Sequence, residues 1–392
     1  MKTTIINLGP QHPSVHGVLR LILETTGETV KKANCEIGFL HRGTEKLCEY
    51  VEYYKILPFF SRFDYVGTLS GEQLYSLSLE KALKVHIPYY SKLIRTLLVE
   101  LIRISSHLLA LTTMAMDTGS ISPFLWAFEE REEICQLYEI LSGARMHTAL
   151  IRPGGVNTIF THEALNLLYE IILRLTTKIE EVTDLFNNPI FKSRLEGIGY
   201  IDNEIAAKMS FTGPMRRAGG NARDSRSWKP YDLYSYHIKK PIYGEQNDCL
   251  NRYRVRVKEM EQSLQRVSEL LNLLIPYIRQ QKPQLYSNSF KLSAPNKQNV
   301  KETMESIIHD FKMYSEGYNL SRYKTYVSVE SPRGRYGLTL VGCNTNRPHR
   351  LKLRSPGFYH LQGFNSLVTD ELVSNVLTVL GSIDVIMGEV DK

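Results

Sequence analysis

The sequence predicts an α+β protein: a mainly helical body, built as a helix bundle, with small antiparallel sheets contributed by the N- and C-terminal segments. Strand-like runs bounded by turn residues occur at 3–8, 18–24 and 29–37, and again at 325–330, 335–342 and 350–354. Between them, two long stretches carry apolar residues at 3-4 spacing: Leu165, Leu168, Ile172, Leu175, Ile179, Val182 and Phe186, then Leu250, Tyr253, Val257, Met260, Leu264, Val267, Leu271 and Leu274. The 392 residues, 43% hydrophobic and 23% charged, supply an ample core and contain no Ser/Gly/Pro-rich linker, low-complexity tract or repeat at which to divide the chain. One domain over 1–392 is therefore expected, with an N-terminal sheet over 1–40, a helical body over 41–320 and C-terminal strands and helix over 321–392.

The first two strands flank Gly9-Pro10-Gln11-His12-Pro13-Ser14-Val15-His16-Gly17. Its prolines fix φ and its terminal glycines allow a sharp entry and exit, so two imidazoles are presented on a stiffened tip. Such a tip suits a ligand whose carbonyls must be hydrogen-bonded and then protonated. It equally suits a rigid hairpin whose histidines bond only the backbone, and their spacing does not decide between the two. A turn at Thr26-Gly27-Glu28 leads to the third strand. A helix is expected after Gly43, with Thr44 as N-cap, Leu47, Val51 and Tyr54 on one face, and Pro58 ending it. An aromatic segment with Arg62, Asp64 and Tyr65 follows.

Helical patterns then run over about 70–86 and 89–116, and a third starts at Ser122-Pro123 and stops at Gly143. In it, Glu129-Glu130-Arg131-Glu132-Glu133 reads either as acid/base carboxylates or, as expected for mixed charge on a helix, as a solvated, salt-bridged face. The two apolar seams want partners, most simply each other in a bundle with shallow crossings, and otherwise an intermolecular coiled coil. Asp248 caps the second, and Pro276 ends or kinks it. Residues 210–247 form a long irregular segment with Arg216, Arg217, Arg223 and Arg226. It lacks the aromatic interleaving or phosphate-loop spacing of a nucleic-acid site and reads as a surface that docks on an acidic neighbour. Near the C-terminus, Ser331-Pro332-Arg333-Gly334 is a hairpin turn, a last helix covers about 368–380, and the apolar tail 386–392 is tucked in.

The net charge of +7 is modest for this length and does not demand a nucleic-acid partner. Cys35, Cys48, Cys135, Cys249 and Cys343 are scattered and include no CxxC pair. Local sequence thus offers no zinc or iron–sulfur ligand set, and reduced, packed thiols are expected. The stretch 104–116 is too short to span a bilayer, which takes roughly 20 apolar residues. The strand pattern begins almost at Met1, so no signal or transit peptide is expected.

Several strings resemble the hydrogenase-like 49-kDa subunit family of respiratory complex I: 9–17 above, Leu-His-Arg-Gly-Thr-Glu-Lys at 40–46, Pro-Phe-Leu-Trp-Ala-Phe-Glu-Glu-Arg-Glu at 123–132, Gly-Ala-Arg-Met-His at 143–147, Arg-Pro-Gly-Gly-Val at 152–156, Pro-Gly-Phe-Tyr-His-Leu-Gln-Gly at 356–363 and Gly-Glu-Val-Asp-Lys at 388–392. They occur in the family's order along essentially the whole chain. The resemblance implies the fold of the nickel–iron hydrogenase large subunit. Where those hydrogenases hold metal with two CxxC pairs, this chain reads His41-Arg42-Gly43-Thr44-Glu45 and Gly388-Glu389-Val390-Asp391, without thiols to bridge a nickel–iron site. In this family the vacated cavity receives a quinone headgroup.

By the same resemblance, His16 and Tyr65 hydrogen-bond the two quinone carbonyls and Asp117 supports His16. His12, Arg42 and Asp391 lie at the edge of the site. Ubiquinone is the substrate, and no metal or cluster is bound by this chain. The terminal 4Fe–4S cluster sits in a neighbouring small subunit. The other implied partners are the 30-kDa-type subunit and the membrane subunit at the quinone channel entrance. The chain is then a core subunit of the peripheral arm of proton-pumping NADH:ubiquinone oxidoreductase, on the matrix side of the mitochondrial inner membrane. The alternatives are a plastid or bacterial homologue of the same complex and a scaffold without quinone chemistry, which retention of His16, Tyr65 and Asp117 disfavours. The stretch 216–230 departs from the family's usual pattern.

Overall fold

A computed structural model describes residues 3–11, 17–236, 239–279, 283–289, 291–295 and 297–392. Strands β1 (Thr3–Leu8), β2 (Arg20–Thr26) and β3 (Thr29–Glu36) form an antiparallel sheet in that order, with Leu8 opposite Leu21 and Thr26 opposite Thr29. Its inner face is the alternating set Leu21, Leu23 and Thr25, while edge-strand Ile5 faces solvent. The predicted second strand begins two residues late, at Arg20.

The first helical region is broken where one helix was expected. Helix α1 (Thr44–Tyr50) starts from Gly43 in the left-handed region and stops at Val51, which is extended. A second helix, α2 (Tyr53–Phe63), carries Pro58 in its interior. An interior proline costs about 3 kcal/mol through its lost hydrogen bond and ring clash. Burial of Ile56, Leu57, Phe60 and Phe63 outweighs that at about 1.5–3 kcal/mol per large side chain. Leu47 and Tyr54, expected on the inner face, are exposed. The inner positions are taken by Cys48 in α1 and by the α2 residues just named.

Helices α3 (Thr68–Leu83), α4 (Tyr89–Asp117) and α5 (Ser122–Ser142) follow close to their expected bounds, α5 ending on Gly143 at φ 79°. The motif at 152–156 forms a short hairpin, β4 (Ile151–Arg152) and β5 (Gly155–Val156), inside the region expected to form the helical body. After α6 (His162–Phe186) come the short helices α7 (Pro189–Ser193), α8 (Asn203–Lys208), α9 (Pro214–Arg217) and α10 (Ser225–Trp228), then α11 (Cys249–Arg279). Asp248 caps α11 by accepting the Asn251 N–H at 2.8 Å, and the helix continues through Pro276.

Both predicted seams are used within the chain. All eight α11 seam residues are buried, as are Leu168, Leu175, Ile179 and Val182 of α6, and α4, α5, α6 and α11 pack as a bundle. No second copy is needed to cover them. Helix α4 is long and apolar enough to cross a membrane, yet it is enclosed at the centre of this bundle. The acidic run of α5 is largely salt-bridged as expected, Glu132 with Arg145 and Glu133 with Arg174, although Glu130 turns inward.

Helices α12 (Lys297–Glu302) and α13 (Met304–Ser315) precede the C-terminal sheet β6 (Lys324–Ser331), β7 (Gly334–Val341) and β8 (Arg350–Arg354). Ser331 pairs with Gly334 across a two-residue loop of Pro332 and Arg333. The expected last helix at 368–380 is instead α14 (Pro356–Gln362), α15 (Phe364–Val368), α16 (Val373–Ile383) and α17 (Met387–Val390). The chain leaves the helix at 369–372 because its backbone there pairs with the free edge of β3: Asp370 N–H donates to Val30 O and Val30 N–H to Glu371 O, each at 2.8 Å.

Apolar side chains gather in two clusters. One joins the bundle to the N-terminal sheet and the C-terminal helices, and the other joins α1, α2 and α3 to the C-terminal sheet. Phe63 belongs to the second, Leu69 and Met387 to the first, so the loop carrying Tyr65 lies where they meet.

Candidate functional site

Tyr65 is half-buried and stands on a loop fixed from several directions. Asp64 beside it accepts the Gly67 N–H at 2.8 Å and the Val66 N–H at 3.3 Å, closing an Asx turn. The same carboxylate receives Arg333 Nη1 on both oxygens, at 3.0 and 3.1 Å, and the Ser331 hydroxyl at 3.5 Å. Arg333 reaches further, donating from Nη2 to Asp384 Oδ1 at 3.3 Å and from Nε to the Asp384 carbonyl at 3.1 Å. The hairpin tip thus sends its arginine inward to tie the Tyr65 loop to the end of α16. Burial raises the Tyr65 phenol pKa, against the opposing influence of Arg333, so its proton is retained at neutral pH.

The segment 381–391 passes the described candidates in turn. At Gly381 it lies on Asp117, where a Cβ would stand 3.1 Å from Asp117 Oδ2. At Met387 it approaches Gly17, the last residue of the first loop, whose Cβ would be 4.0 Å from the methionine Cγ. At Gly388 it abuts the tyrosine, since a Cβ there would lie 2.6 Å from the Phe63 carbonyl oxygen and 3.2 Å from Tyr65 Cδ1. At Asp391 it fixes the 38–41 strip: the carboxylate accepts the Gly38 N–H at 2.9 Å and the Leu40 N–H at 2.8 Å, and the Asp391 carbonyl meets His41 Nδ1 at 2.6 Å.

Of the predicted site residues, Tyr65 and Asp117 therefore pack on the same segment, at Gly388 and Gly381 respectively. Asp391 belongs to the strap but spends both carboxylate oxygens on the backbone of 38–41. Arg42 is exposed next to that strip. His12 and His16 fall outside the described residues. Substituting Gly388 by alanine is expected to push the strap off Phe63 and displace the Tyr65 ring. The overpacking cost is about 1–3 kcal/mol, read as a lower thermal-inactivation temperature of the assembly.

Sequence reasoning missed Arg333, Asp384 and Glu389. Arg333 was placed only in a hairpin turn, and nothing local marks a turn arginine as internal. Glu389 is fully buried, with Oε1 accepting the Gly357 N–H at 2.9 Å and Oε2 without a hydrogen-bond partner among the described residues. The basic stretch also needs correction. Arg217 and Arg226 are buried and paired inside the chain, with Glu259, Glu330, Asp224 and Glu100, because the loop folds inward over α4 and α11. Only Arg216 and Arg223 of that set reach the surface, the latter stacked over Trp228 at 4.4 Å.

The cysteines form no disulfide with one another; Cys48 and Cys249 are buried, whereas Cys343 is exposed, contrary to the expected packing. Among the described residues, no three His, Cys, Asp or Glu side chains converge in a way that could hold a metal ion. A cavity of about 820 Å³ opens between α2, the β4–β5 hairpin and α12–α13, and none of Tyr65, Asp117, Arg42 and Asp391 lines it.

Comparison with known proteins accounts for the whole chain. Residues 117–392 match the family described as the 49 Kd subunit of respiratory-chain NADH dehydrogenase. Over its full length the chain is 44% identical to NADH dehydrogenase [ubiquinone] iron-sulfur protein 2 of Nephroselmis olivacea, covering 97% of that protein. It is 43% identical to the NADH-ubiquinone oxidoreductase 49 kDa subunit of Acanthamoeba castellanii and equally to that of Reclinomonas americana, covering 96% and 98% of them. The strings that carry the sequence resemblance are thus embedded in similarity from end to end, and the chain belongs to the 49-kDa subunit family of respiratory complex I.

Proposed function

We propose that this chain forms the headgroup site at which complex I reduces ubiquinone, with Tyr65 and His16 as the proton donors and Asp117 as the support of His16. The observation that carries this reading is the strap 381–391, which packs on Asp117, on Tyr65 and on the exit of the loop that holds both histidines. Three distant parts of the sequence thus share one packing segment, which supports the reading.

Reduction of a quinone to a quinol takes two electrons and two protons, and negative charge develops on both oxygens. Donors aimed at those oxygens stabilise that charge as it forms. A phenol anchored through Asp64 and Arg333 needs little reorganisation to serve one oxygen, and an imidazole backed by a carboxylate serves the other and can be recharged. The electrons come, as the family resemblance implies, from a 4Fe–4S cluster of a neighbouring small subunit; no pair of cysteines in this sequence has ligand spacing. His12, Arg42 and Asp391 border the site, Asp391 by holding the 38–41 strip in position.

The same reading makes the chain one domain with the fold of the nickel–iron hydrogenase large subunit, in the peripheral arm on the matrix side of the mitochondrial inner membrane. Its neighbours are the cluster-bearing subunit, the 30-kDa-type subunit and the membrane subunit at the quinone entrance, and quinone reduction there drives proton translocation elsewhere in the complex.

Photo-crosslinking of a quinone analogue to the detergent-solubilised native assembly is expected to label peptides containing His16 or Tyr65, with the label competed by excess quinone. Tyr65→Phe is expected to lower quinone reduction by about 10²-fold, a typical contribution of a positioned acid. Oxidation of NADH by an artificial acceptor should be unchanged. Label confined to other subunits, with full activity in Tyr65→Phe, would make this chain a scaffold.

A further inference from the structure

The cavity of about 820 Å³ between α2, the β4–β5 hairpin and α12–α13 plays no part in the site around Tyr65. Its volume lies within the range of ligand pockets, about 300–1,000 Å³. The floor is fixed. The Arg152 carbonyl accepts Arg95 Nη2 at 2.6 Å, the Gly154 N–H donates to Glu80 Oε1 at 2.8 Å, and Arg95 and Glu80 are themselves a buried pair. The opposite wall is α12–α13, neither of which contains a buried residue. Ring contacts hold this arm to α2: Tyr54 meets Tyr314 edge-on at 5.3 Å, and Tyr53 stacks on Tyr318 at 5.8 Å. A rigid hairpin thus bounds the space on one side and an aromatic clasp on the other.

The walls are mostly apolar, with Leu57, Leu292, Val300 and Met313 among them, whereas the ionic groups are mostly cations. Lys297 and Lys301, four residues apart on α12, share the face that carries Val300. Arg152 is half-buried at the floor, and its charge acts on the Tyr54 and Tyr286 phenols, which line the same space. Its Nε donates to the Ala149 carbonyl at 3.2 Å. Among the described residues, no carboxylate lies in salt-bridge reach of Arg152, Lys297 or Lys301. Lys55 is committed, 2.9 Å from Glu52. Glu72, behind the hairpin, spends its oxygens on the Ala149 and Ile151 N–H groups, and Asp310 is the one acid among the described lining residues.

An apolar chamber strengthens charge interactions by lowering the local dielectric. A neutral ligand would leave these cations unpaired, and a bare anion would leave the apolar walls unfilled. We propose that the cavity binds an acyl chain with an anionic head, from a fatty acid or an acidic phospholipid. Arg152 holds the carboxylate or phosphate, Lys297 and Lys301 draw it in, and the chain lies along Leu57, Leu292, Val300 and Met313. The site is independent of quinone chemistry at Tyr65.

The test uses the purified complex in a non-ionic detergent and a diazirine derivative of palmitate, with labelled peptides mapped by mass spectrometry. Label is expected on peptides containing Leu57, Leu292 or Met313. Palmitate should compete for it; ubiquinone and phosphatidylcholine, which carry no net charge, should not. Dioleoyl phosphatidylglycerol separates the two sources: competition as strong as that of palmitate assigns the site to acidic phospholipid, and weaker competition assigns it to fatty acid.

Arg152→Gln should lower apparent affinity about tenfold, as for loss of one charged hydrogen-bond partner. Lys297→Glu with Lys301→Glu, at exposed positions that the fold does not need, should weaken binding more at low salt than at high salt. Met313→Trp fills the cavity without touching a charge and should abolish the label. Should Arg152→Gln not assemble, the other two variants still decide. Absence of label in the assembled complex, as when a neighbouring subunit covers the cavity, overturns the proposal. So does label competed by ubiquinone or phosphatidylcholine, or label unchanged in both Met313→Trp and the lysine variant.

Discussion

Replacing Arg333 with methionine is expected to prevent the chain from accumulating in assembled form. The guanidinium is buried and bridges Asp64 and Asp384, with Glu389 close by. Methionine fills a similar volume but leaves carboxyl groups facing one another in a low-dielectric site. Breaking a buried pair from one side costs about 3–5 kcal/mol, against a total stability of about 5–15 kcal/mol for a folded domain. Arg333→Lys should fall between, since it keeps the charge but loses the fork that serves two carboxylates. Adding Asp64→Asn to Arg333→Met should recover part of the loss by removing an orphaned charge. Subunit abundance in native gels and resistance to limited proteolysis read all three variants, and wild-type abundance of Arg333→Met would refute the argument.

The pH dependence of stability follows from the same cluster. The folded-state pKa of Glu389 lies above its ordinary value of 4.5, so the folded chain binds a proton that the unfolded chain releases. The contribution is full below about pH 4.5 and is lost as pH rises through about 8. Glu389→Gln should flatten this part of the stability profile.

The helical bundle was legible because an apolar seam is a local pattern. Leu250 to Leu274 announce a buried face whatever the partner, and α4 and α6 supply it. The opposite side of α11 was not legible. Arg252, Arg256, Glu259, Ser263 and Arg266 repeat at the same helical spacing without an apolar signal, yet all are buried. Their partners come from 382, 107, 217 and 100, too far along the chain to be seen together. The helix buries both stripes, one apolar and one of mixed charge, and leaves a third, Arg254, Lys258, Glu261, Gln265 and Glu269, exposed. Pro58 failed as a stop for a related reason: tertiary burial of α2 outweighs a local penalty. At the site, Tyr65 and Asp117 came from family resemblance, whereas the strap that joins them depends on glycines at 381 and 388 whose reason is close approach, visible only in three dimensions.

The buried charges of α11 carry the second large effect. Arg217→Met is expected to destabilise the chain by about 3–5 kcal/mol, as for other broken buried pairs. Arg217 Nε and Nη2 donate to Glu259 Oε1 at 2.9 and 2.5 Å, and Nη1 donates to Glu330 Oε1 at 2.6 Å. One guanidinium therefore fastens the irregular loop after α9 both to α11 and to β6. Glu330 is tied further by the Ser225 N–H at 3.1 Å, and Glu259 Oε2 stands 3.0 Å from His107 Nε2 on α4. Burial lowers the His107 pKa although Glu259 opposes it, so the imidazole is neutral at pH 7. With Arg217 gone, Glu259 loses its principal counter-charge and His107 becomes the nearest group able to supply one. Its pKa should rise, and the variant should lose less stability at pH 5 than at pH 8. Combining Arg217→Met with Glu330→Gln should cost less than the sum of the single changes, by about 0.5–3 kcal/mol, because the second removes a carboxylate that the first orphaned. Strict additivity, or wild-type thermal stability of Arg217→Met at pH 8, would mean that the loop is held by its packing and not by this ion network.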